Sequence, residues 1–358
     1  MMIQTIGFQN FRGFSDLKLE GVQPITLISG RNNVGKSSVL DGLFLFFDHL
    51  APESFVKING FRGIPPMTEP KYLWEPVFYG LDITRPMEIA LDLSDGRAVL
   101  HYERDTSYVV PEDADVPRNV LNQFISTTGS SYTLKFQYTH NDYWETGHFI
   151  SSASGLLRHM ETSLDGDRIL PMPFTQFINS VIIQSNGDVA ALLGEVEMNG
   201  KKDLLLEVLR TMEPSISDIT TIMTPAGTAQ IYLRFTGQLL PVKLAGDGLN
   251  KLMFLLLSIM AHPGSLLLID EIETGVHYSA YTDLWRSVAQ MAEVCGCQII
   301  ATTHSYECIV GAIEGLQAID AGNRFCYFRI DRQGGTAVAR RYSDALLRTA
   351  IDTSLEVR

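Results

Sequence analysis

Apolar and polar positions along the chain switch between a period of two and a helical period, and the order of the switches lays out most of the elements. The opening segment IQTIGFQNF is β-rich and alternates in part, the turn RGFSD follows, and ITLIS is a short apolar strand that runs into Gly30. After Lys36 the period changes, and Leu40, Leu43, Phe44, Phe47 and Leu50 fall on one face of a helix. Residues 51 to about 80 are rich in Pro and Gly and show no clear period. Alternation then returns: Met87, Ile89, Leu91 and Leu93 are separated by more polar neighbours, and Asp95-Gly96 provides a hairpin turn. Tyr132, Leu134, Phe136 and Tyr138 alternate in the same way with Thr133, Lys135, Gln137 and Thr139. These segments predict an antiparallel β lobe inserted into the chain.

Further on, KDLLLEVLRTME reads as a helix that stops before Pro214, and QIYLRF as a strand that ends at the turn Thr236-Gly237. LNKLMFLLLSIMAH, after Gly248, is a mostly buried helix, and SLLLID is the strand that follows it. YSAYTDLWRSVAQMAEVC is a second helix, closed by Gly296, and QIIATTHS returns as a strand. Strands that alternate with helices imply a largely parallel sheet covered by helices.

Composition narrows this picture. A chain of 358 residues, 45% of them hydrophobic, supports a sizeable core in one large or two modest domains. The balance of 28 basic against 41 acidic residues, net −13, gives no reason to expect tight binding of bare DNA over the whole surface and leaves room only for a local basic groove. No run of 18 apolar residues occurs, and MMIQTIGFQNFRGF lacks the basic start and apolar centre of a signal peptide, so a cytoplasmic protein without a membrane partner is expected. Cys295, Cys297, Cys308 and Cys326 are too few for a disulfide framework, and CGC lacks the spacing of a zinc site; reduced thiols are expected.

Two stretches carry chemistry. In GRNNVGKSS, Gly30, Gly35, Lys36 and Ser37 match G-x-x-x-x-G-K-[ST] between a strand and a helix, with Asn32, Asn33 and Ser38 filling out the loop. Glycines let backbone N–H groups close around phosphates, the lysine places a charge on the β and γ phosphates, and the Ser37 hydroxyl ligates Mg²⁺; the ligand expected is Mg-ATP. In SLLLIDEIE a buried strand ends in Asp270 and Glu271. A carboxylate at the C-terminal edge of a parallel strand reaches Mg²⁺ through water, which suits Asp270, and the next one, Glu271, can orient or deprotonate the attacking water.

The long separation of Lys36 from Asp270 leaves room for the β lobe between two halves of one nucleotide site. Here the chain resembles the ABC-type ATPase heads of SMC, RecF and the related OLD-like ATPases, and within those it looks like the stand-alone proteins of bacterial anti-phage defence. The resemblance implies an α/β fold: a P-loop NTPase head of the ABC type with an inserted antiparallel β lobe and accessory helices. It places the ATPase core in residues 1–50 and 180–358 and the lobe in 51–179.

The same resemblance implies residue roles. LAGDGLNKL stands where those heads carry their signature, so Gly246 and Gly248 would offer N–H groups to a γ-phosphate, although AGDG departs from the usual Ser-Gly-Gly. ETGVHYS takes the place of the D-loop, and His304 in ATTHS that of the switch histidine pointed at the γ-phosphate. Arg12 in NFRGF would lie near the nucleotide, and Gln184 is a candidate for the Q-loop glutamine. With Lys36, Glu271 and His304 as the catalytic set, the expected activity is Mg-dependent hydrolysis of ATP. The nucleotide would be held between subunits of a homodimer or larger assembly.

Relatives with a nuclease of their own carry a long C-terminal domain, whereas residues 305–358 suffice only to finish the ATPase fold. An effector, a nuclease or toxin, is therefore expected on a separate polypeptide. Two other readings stay open: a RecF-like repair ATPase that clamps DNA, and an ATP-dependent scaffold whose hydrolysis is not needed.

Overall fold

The computed structural model describes residues 1–67, 69–108, 133–152, 155–163, 172–179, 186–353 and 357. In chain order, strands β1 (Ile3–Phe11), β2 (Phe14–Glu20) and β3 (Ile25–Gly30) lead into helices α1 (Lys36–Phe47), α2 (Glu53–Gly60) and α3 (Pro70–Leu73). Then come β4 (Met87–Leu93), β5 (Gly96–Asp105), β6 (Thr133–His140), β7 (Tyr143–Ser152), β8 (Gly155–Ser163) and β9 (Thr175–Ile178). Helices α4 (Asn186–Met198) and α5 (Lys202–Met212) precede β10 (Asp218–Met223), β11 (Ala229–Phe235) and β12 (Gln238–Pro241). The last part runs α6 (Asp247–Ala261), β13 (Leu266–Ile269), α7 (Tyr281–Cys295), β14 (Gln298–Thr302), α8 (Tyr306–Gln317), β15 (Phe325–Gln333), β16 (Thr336–Tyr342) and α9 (Asp344–Asp352).

The chain packs as two compact units: Met1–Val22 with Arg31–Thr175 and Ile330–Arg341, and Gln23–Gly30 with Gln176–Arg329 and Tyr342–Arg358. Strand β1 pairs antiparallel with β4 through Ile6–Leu91 and Phe8–Ile89 and so joins the first strands to the lobe. The lobe sheet has the order β2-β1-β4-β5-β6-β7-β8. Its clean alternation, as in β4 with every second residue buried, makes one face apolar, and α1 lies in the same unit.

Two details differ from the expectations drawn from periodicity. RGFSD is not all turn, because β2 starts at Phe14 and buries Phe14, Leu17 and Leu19. At the next hairpin Leu93 pairs with Gly96, which makes Ser94-Asp95 the two loop residues. Inside the lobe His49 Nε2 lies 2.5 Å from Glu145 Oε1, and the Tyr143 hydroxyl donates to Glu145 Oε2 at 2.9 Å. Burial alone would raise Glu145, but these bonds hold its carboxyl below the usual value.

The other large sheet has the order β16-β15-β3-β14-β13-β9, and its strands β3, β14 and β13 belong to the second unit. Strands β3, β14 and β13 are parallel, with Leu27 level with Ala301 and Ala301 level with Ile269. This register brings the C-terminal ends of the three strands into line, so that Gly30, Asp270 and the residues after Thr302 share one edge. Each strand is buried from end to end, as in a sheet covered on both faces. Helix α8 lies close to α7: a Cβ at Gly311 would stand 2.6 Å from that of Tyr281.

Candidate nucleotide site

The loop after β3 has the backbone of a phosphate cradle. Gly30 (φ 144°), Asn33 (φ 63°) and Gly35 (φ 107°) all lie at positive φ, which turns successive N–H groups inward. Gly35 is also fixed by packing, since a Cβ there would meet the Phe14 ring at 2.4 Å. Gly35 caps α1 without any side-chain hydrogen bond, so the first turn keeps N–H groups for an anion. Lys36 Nζ donates to the Arg31 carbonyl at 3.2 Å, which folds the lysine back over the loop. Ser37 and Ser38 are half-buried in that first turn.

Arg12, expected near the nucleotide, is largely enclosed by its own unit. Its side chain is 11% exposed, its Nε lies 3.1 Å from Asp41 of α1, and Nη2 donates to the Ile58 carbonyl at 3.1 Å and to Asn59 at 3.3 Å. Burial lowers the guanidinium pKa while the Asp41 charge raises it. The arginine is a packing link between the β1–β2 turn, α1 and α2. Gln184 lies outside the described residues.

In the second unit the strand ends hold the acidic pair. The Asp270 N–H donates to the Ile178 carbonyl at 2.7 Å. The Thr302 hydroxyl donates to Asp270 Oδ1 at 2.6 Å and accepts the Glu271 N–H at 2.9 Å, so one side chain of β14 aligns both acids. Glu271 sits at φ 51°, a left-handed conformation that is uncommon without glycine and typical of a functional turn. Its side chain is 44% exposed and its Oε1 lies 3.8 Å from His304 Nδ1.

The structure therefore brings Asp270, Glu271 and His304 together at the ends of two neighbouring strands. Gly246, at φ 104°, caps α6 and accepts the Asn250 N–H at 3.0 Å, while Gly248 lies in the first turn beside Val276. Both signature glycines thus start a helix with no side-chain cap.

Three functional candidates stand inside the quoted stretches without a role of their own there: Thr302, Lys251 and Glu273. Lys251 of α6 donates to the carbonyls of Glu271 (3.1 Å) and Thr274 (2.9 Å) and so clasps the loop after β13. The one signal for it in the sequence is a single charge inside the apolar run LNKLMFLLL, since a lysine buried on such a helix needs partners. Burial pulls Lys251 down to about 8, against the pull of Glu273, Glu271 and Asp270. Between this value and the ordinary one the unfolded chain binds the proton and the folded chain does not, so stability from this group rises with pH. The unfolding free energy of the parent minus that of Lys251→Met should grow by about 3 kcal/mol from pH 8 to pH 10.5 in denaturant titrations.

The four cysteines are free and buried, and burial pushes the Cys308 thiol up to about 12. Among the described residues no group of three or more His, Cys, Asp or Glu side chains could hold a metal ion. A hydroxyl such as that of Ser37 and a carboxylate such as that of Asp270 are each hard oxygen donors of the kind Mg²⁺ takes. Among the described residues no helix is long and apolar enough to cross a membrane.

Comparison with known proteins agrees with this geometry. The family model of AAA ATPase domains matches residues 1–109, and one described as an AAA domain, putative AbiEii toxin, Type IV TA system, matches residues 188–309. A Helicobacter pylori protein described as an ATP/GTP phosphatase is 22% identical, with 95% of each chain covered. The SMC head solved with the C-winged helix domain of ScpA superposes with a TM-score of 0.52 at 12% identity, covering 98% of this chain and all of that one. The chain is thus similar to AAA ATPases in both stretches, and its fold is that of an ABC-type P-loop ATPase head. This ATPase also shares 39% identity over 57 residues with the DNA double-strand break repair Rad50 ATPase of Archaeoglobus fulgidus, 16% of this chain and 6% of that one.

Proposed function

We propose that this ATPase binds Mg-ATP, closes as a homodimer or larger assembly around it, and by hydrolysis holds or releases a separate effector protein. The observation that carries the reading is the cluster of Asp270, Glu271 and His304 at aligned strand ends, tied by Lys251 to the helix that begins with Gly246 and Gly248. Lys36 and the loop N–H groups take the phosphates, Ser37 and Asp270 hold Mg²⁺, and Glu271 orients and deprotonates the attacking water. Bound Mg²⁺ would offset charge that builds on the phosphate oxygens. Gly246 and Gly248 of one subunit face the nucleotide of the other.

The solved SMC heads were captured with a piece of ScpA, which supports a protein partner for this relative too. The toxin–antitoxin description of the matching family supports a defence setting, with a nuclease or toxin as effector and cytoplasmic action. The test is the native mass of Glu271→Gln purified with the products of its neighbouring genes, with and without Mg-ATP. A rise to a dimer or larger species that carries a second polypeptide is expected; a monomer that binds ATP yet never associates would overturn the shared site.

A DNA-clamping ATPase is favoured only by the short Rad50 match. It requires ATP-dependent DNA binding with a steep salt dependence, which the net charge of −13 opposes.

A further inference from the structure

Glu273 has no role in the chemistry described so far, yet it is the most enclosed acid of the site. Its side chain is 4% exposed, three residues after Asp270, at the start of the stretch that takes the place of the D-loop. It turns back into its own unit instead. Oε1 accepts the backbone N–H of His304 at 2.8 Å and lies 3.0 Å from Nδ1 of the same residue. Glu273 is also the acid that most favours the protonated form of Lys251, so the buried carboxylate has a cation nearby.

Two donors from one residue onto one oxygen define more than a contact. The backbone bond makes Oε1 an acceptor, and an acceptor opposite Nδ1 requires the ring proton to sit on Nδ1. We propose that Glu273 is a positioning residue for His304, fixing its ring in the Nδ1–H form so that Nε2 is the nitrogen left to meet the attacking water. In the neutral ring Nε2 is then a bare acceptor for a water hydrogen. The logic is that of a carboxylate behind a metal-bound or catalytic histidine, where the partner on one nitrogen sets what the other can do.

The surrounding bonds explain why the arrangement holds. The loop that carries Glu273 is pinned by Lys251 at Glu271 and Thr274, by the Ile272 N–H on the Thr302 carbonyl at 3.1 Å, and by the Val276 N–H on the Glu273 carbonyl at 3.0 Å. Beyond His304, the Ser305 side chain caps α8 by accepting the Cys308 N–H at 3.1 Å. Both ends of the histidine's backbone are thus anchored, and Glu273 sets the remaining freedom, which is that of the ring.

The inference rests on the reading that His304 serves hydrolysis, and the test separates the two. Nitrogen-15 histidine spectra of the full-length parent, with the His304 signals assigned from His304→Asn, should show a protonated Nδ1 and a bare Nε2. Glu273→Gln keeps an oxygen in place for both donors, so it should keep this signature and a kcat within about threefold of the parent. Glu273→Ala should return the ring to the ordinary mixture dominated by Nε2–H and lower kcat by roughly tenfold or more, with little change in KM for ATP.

Retention of the Nδ1–H form in Glu273→Ala, or its loss in Glu273→Gln, would overturn the proposal. If His304→Asn hydrolyses ATP as fast as the parent, the catalytic reading of His304 fails; the spectra still decide whether Glu273 sets its tautomer. Should Glu273→Ala not fold, the Glu273→Gln spectrum decides alone: the Nδ1–H signature kept there supports the carboxylate-to-ring bond, and its loss overturns it.

Discussion

Glu271→Gln should hydrolyse ATP about 10²- to 10⁴-fold more slowly than the parent, the loss that removal of a general base produces, and should still bind the nucleotide. The structure makes this a clean substitution. The backbone of Glu271 is held by Thr302 at its N–H and by Lys251 at its carbonyl, and neither bond uses the carboxylate. The side chain is half exposed, and its hydrogen bond from the Thr274 hydroxyl, at 3.3 Å, can be accepted by an amide oxygen as well. Stability should therefore stay within about 0.5 kcal/mol of the parent, as for substitutions away from packed groups. Phosphate release, ATP affinity and thermal denaturation measured on one preparation give the three readouts. Turnover within about threefold of the parent would remove Glu271 from the chemistry and return attention to Glu273, the other acid beside His304.

Periodicity alone made the parallel layer legible. The runs ITLIS, SLLLI and QIIAT are dominated by apolar residues and lie as β3, β13 and β14 in one sheet. The acids after SLLLI and the histidine after QIIAT fall together because parallel register aligns strand ends, a consequence that motif order carries without any distance. What stayed hidden were the side chains that join these ends. Thr302 reads as one more residue of a strand, and its two hydrogen bonds, to Asp270 and from the Glu271 N–H, exist only once β13 and β14 are paired. Glu273 reads as a polar loop residue, and only tertiary burial turns it toward His304.

The division into two units was hidden for a similar reason. Nothing local in IQTIGFQNF says whether its partner is the next apolar strand or one some eighty residues away, and the antiparallel match with β4 decides it. Arg12 shows the same limit of local reading. Next to a glycine in a turn between two strands, it has the look of an exposed hairpin residue, whereas it bonds to Asp41 of α1 and to Ile58 and Asn59 of α2.

That change of role gives the second large effect, on stability rather than turnover. Asp41 lies on α1, fully buried, and its Oδ2 takes Arg12 Nε at 3.1 Å together with Arg62 Nη2 at 2.7 Å. Asp41→Ala would leave the Arg12 guanidinium in its buried seat without an anion, and breaking a buried ion pair from one side costs about 3–5 kcal/mol. The thermal midpoint of the lobe-containing unit should drop by roughly 10 °C. Arg12→Ala should also lower it, because the Asp41 carboxylate then loses one of its two cations and the carbonyl of Ile58 loses a donor. A phosphate contact would behave in the opposite way: the midpoint without nucleotide would be unchanged, and the gain in stability on adding Mg-ATP would shrink. Midpoints of the parent, Arg12→Ala and Asp41→Ala with and without Mg-ATP therefore distinguish the two roles. The expected result is a loss in the absence of nucleotide, shared by both variants, because Arg12 and Asp41 hold in place the helix on which the lysine of the phosphate loop is mounted.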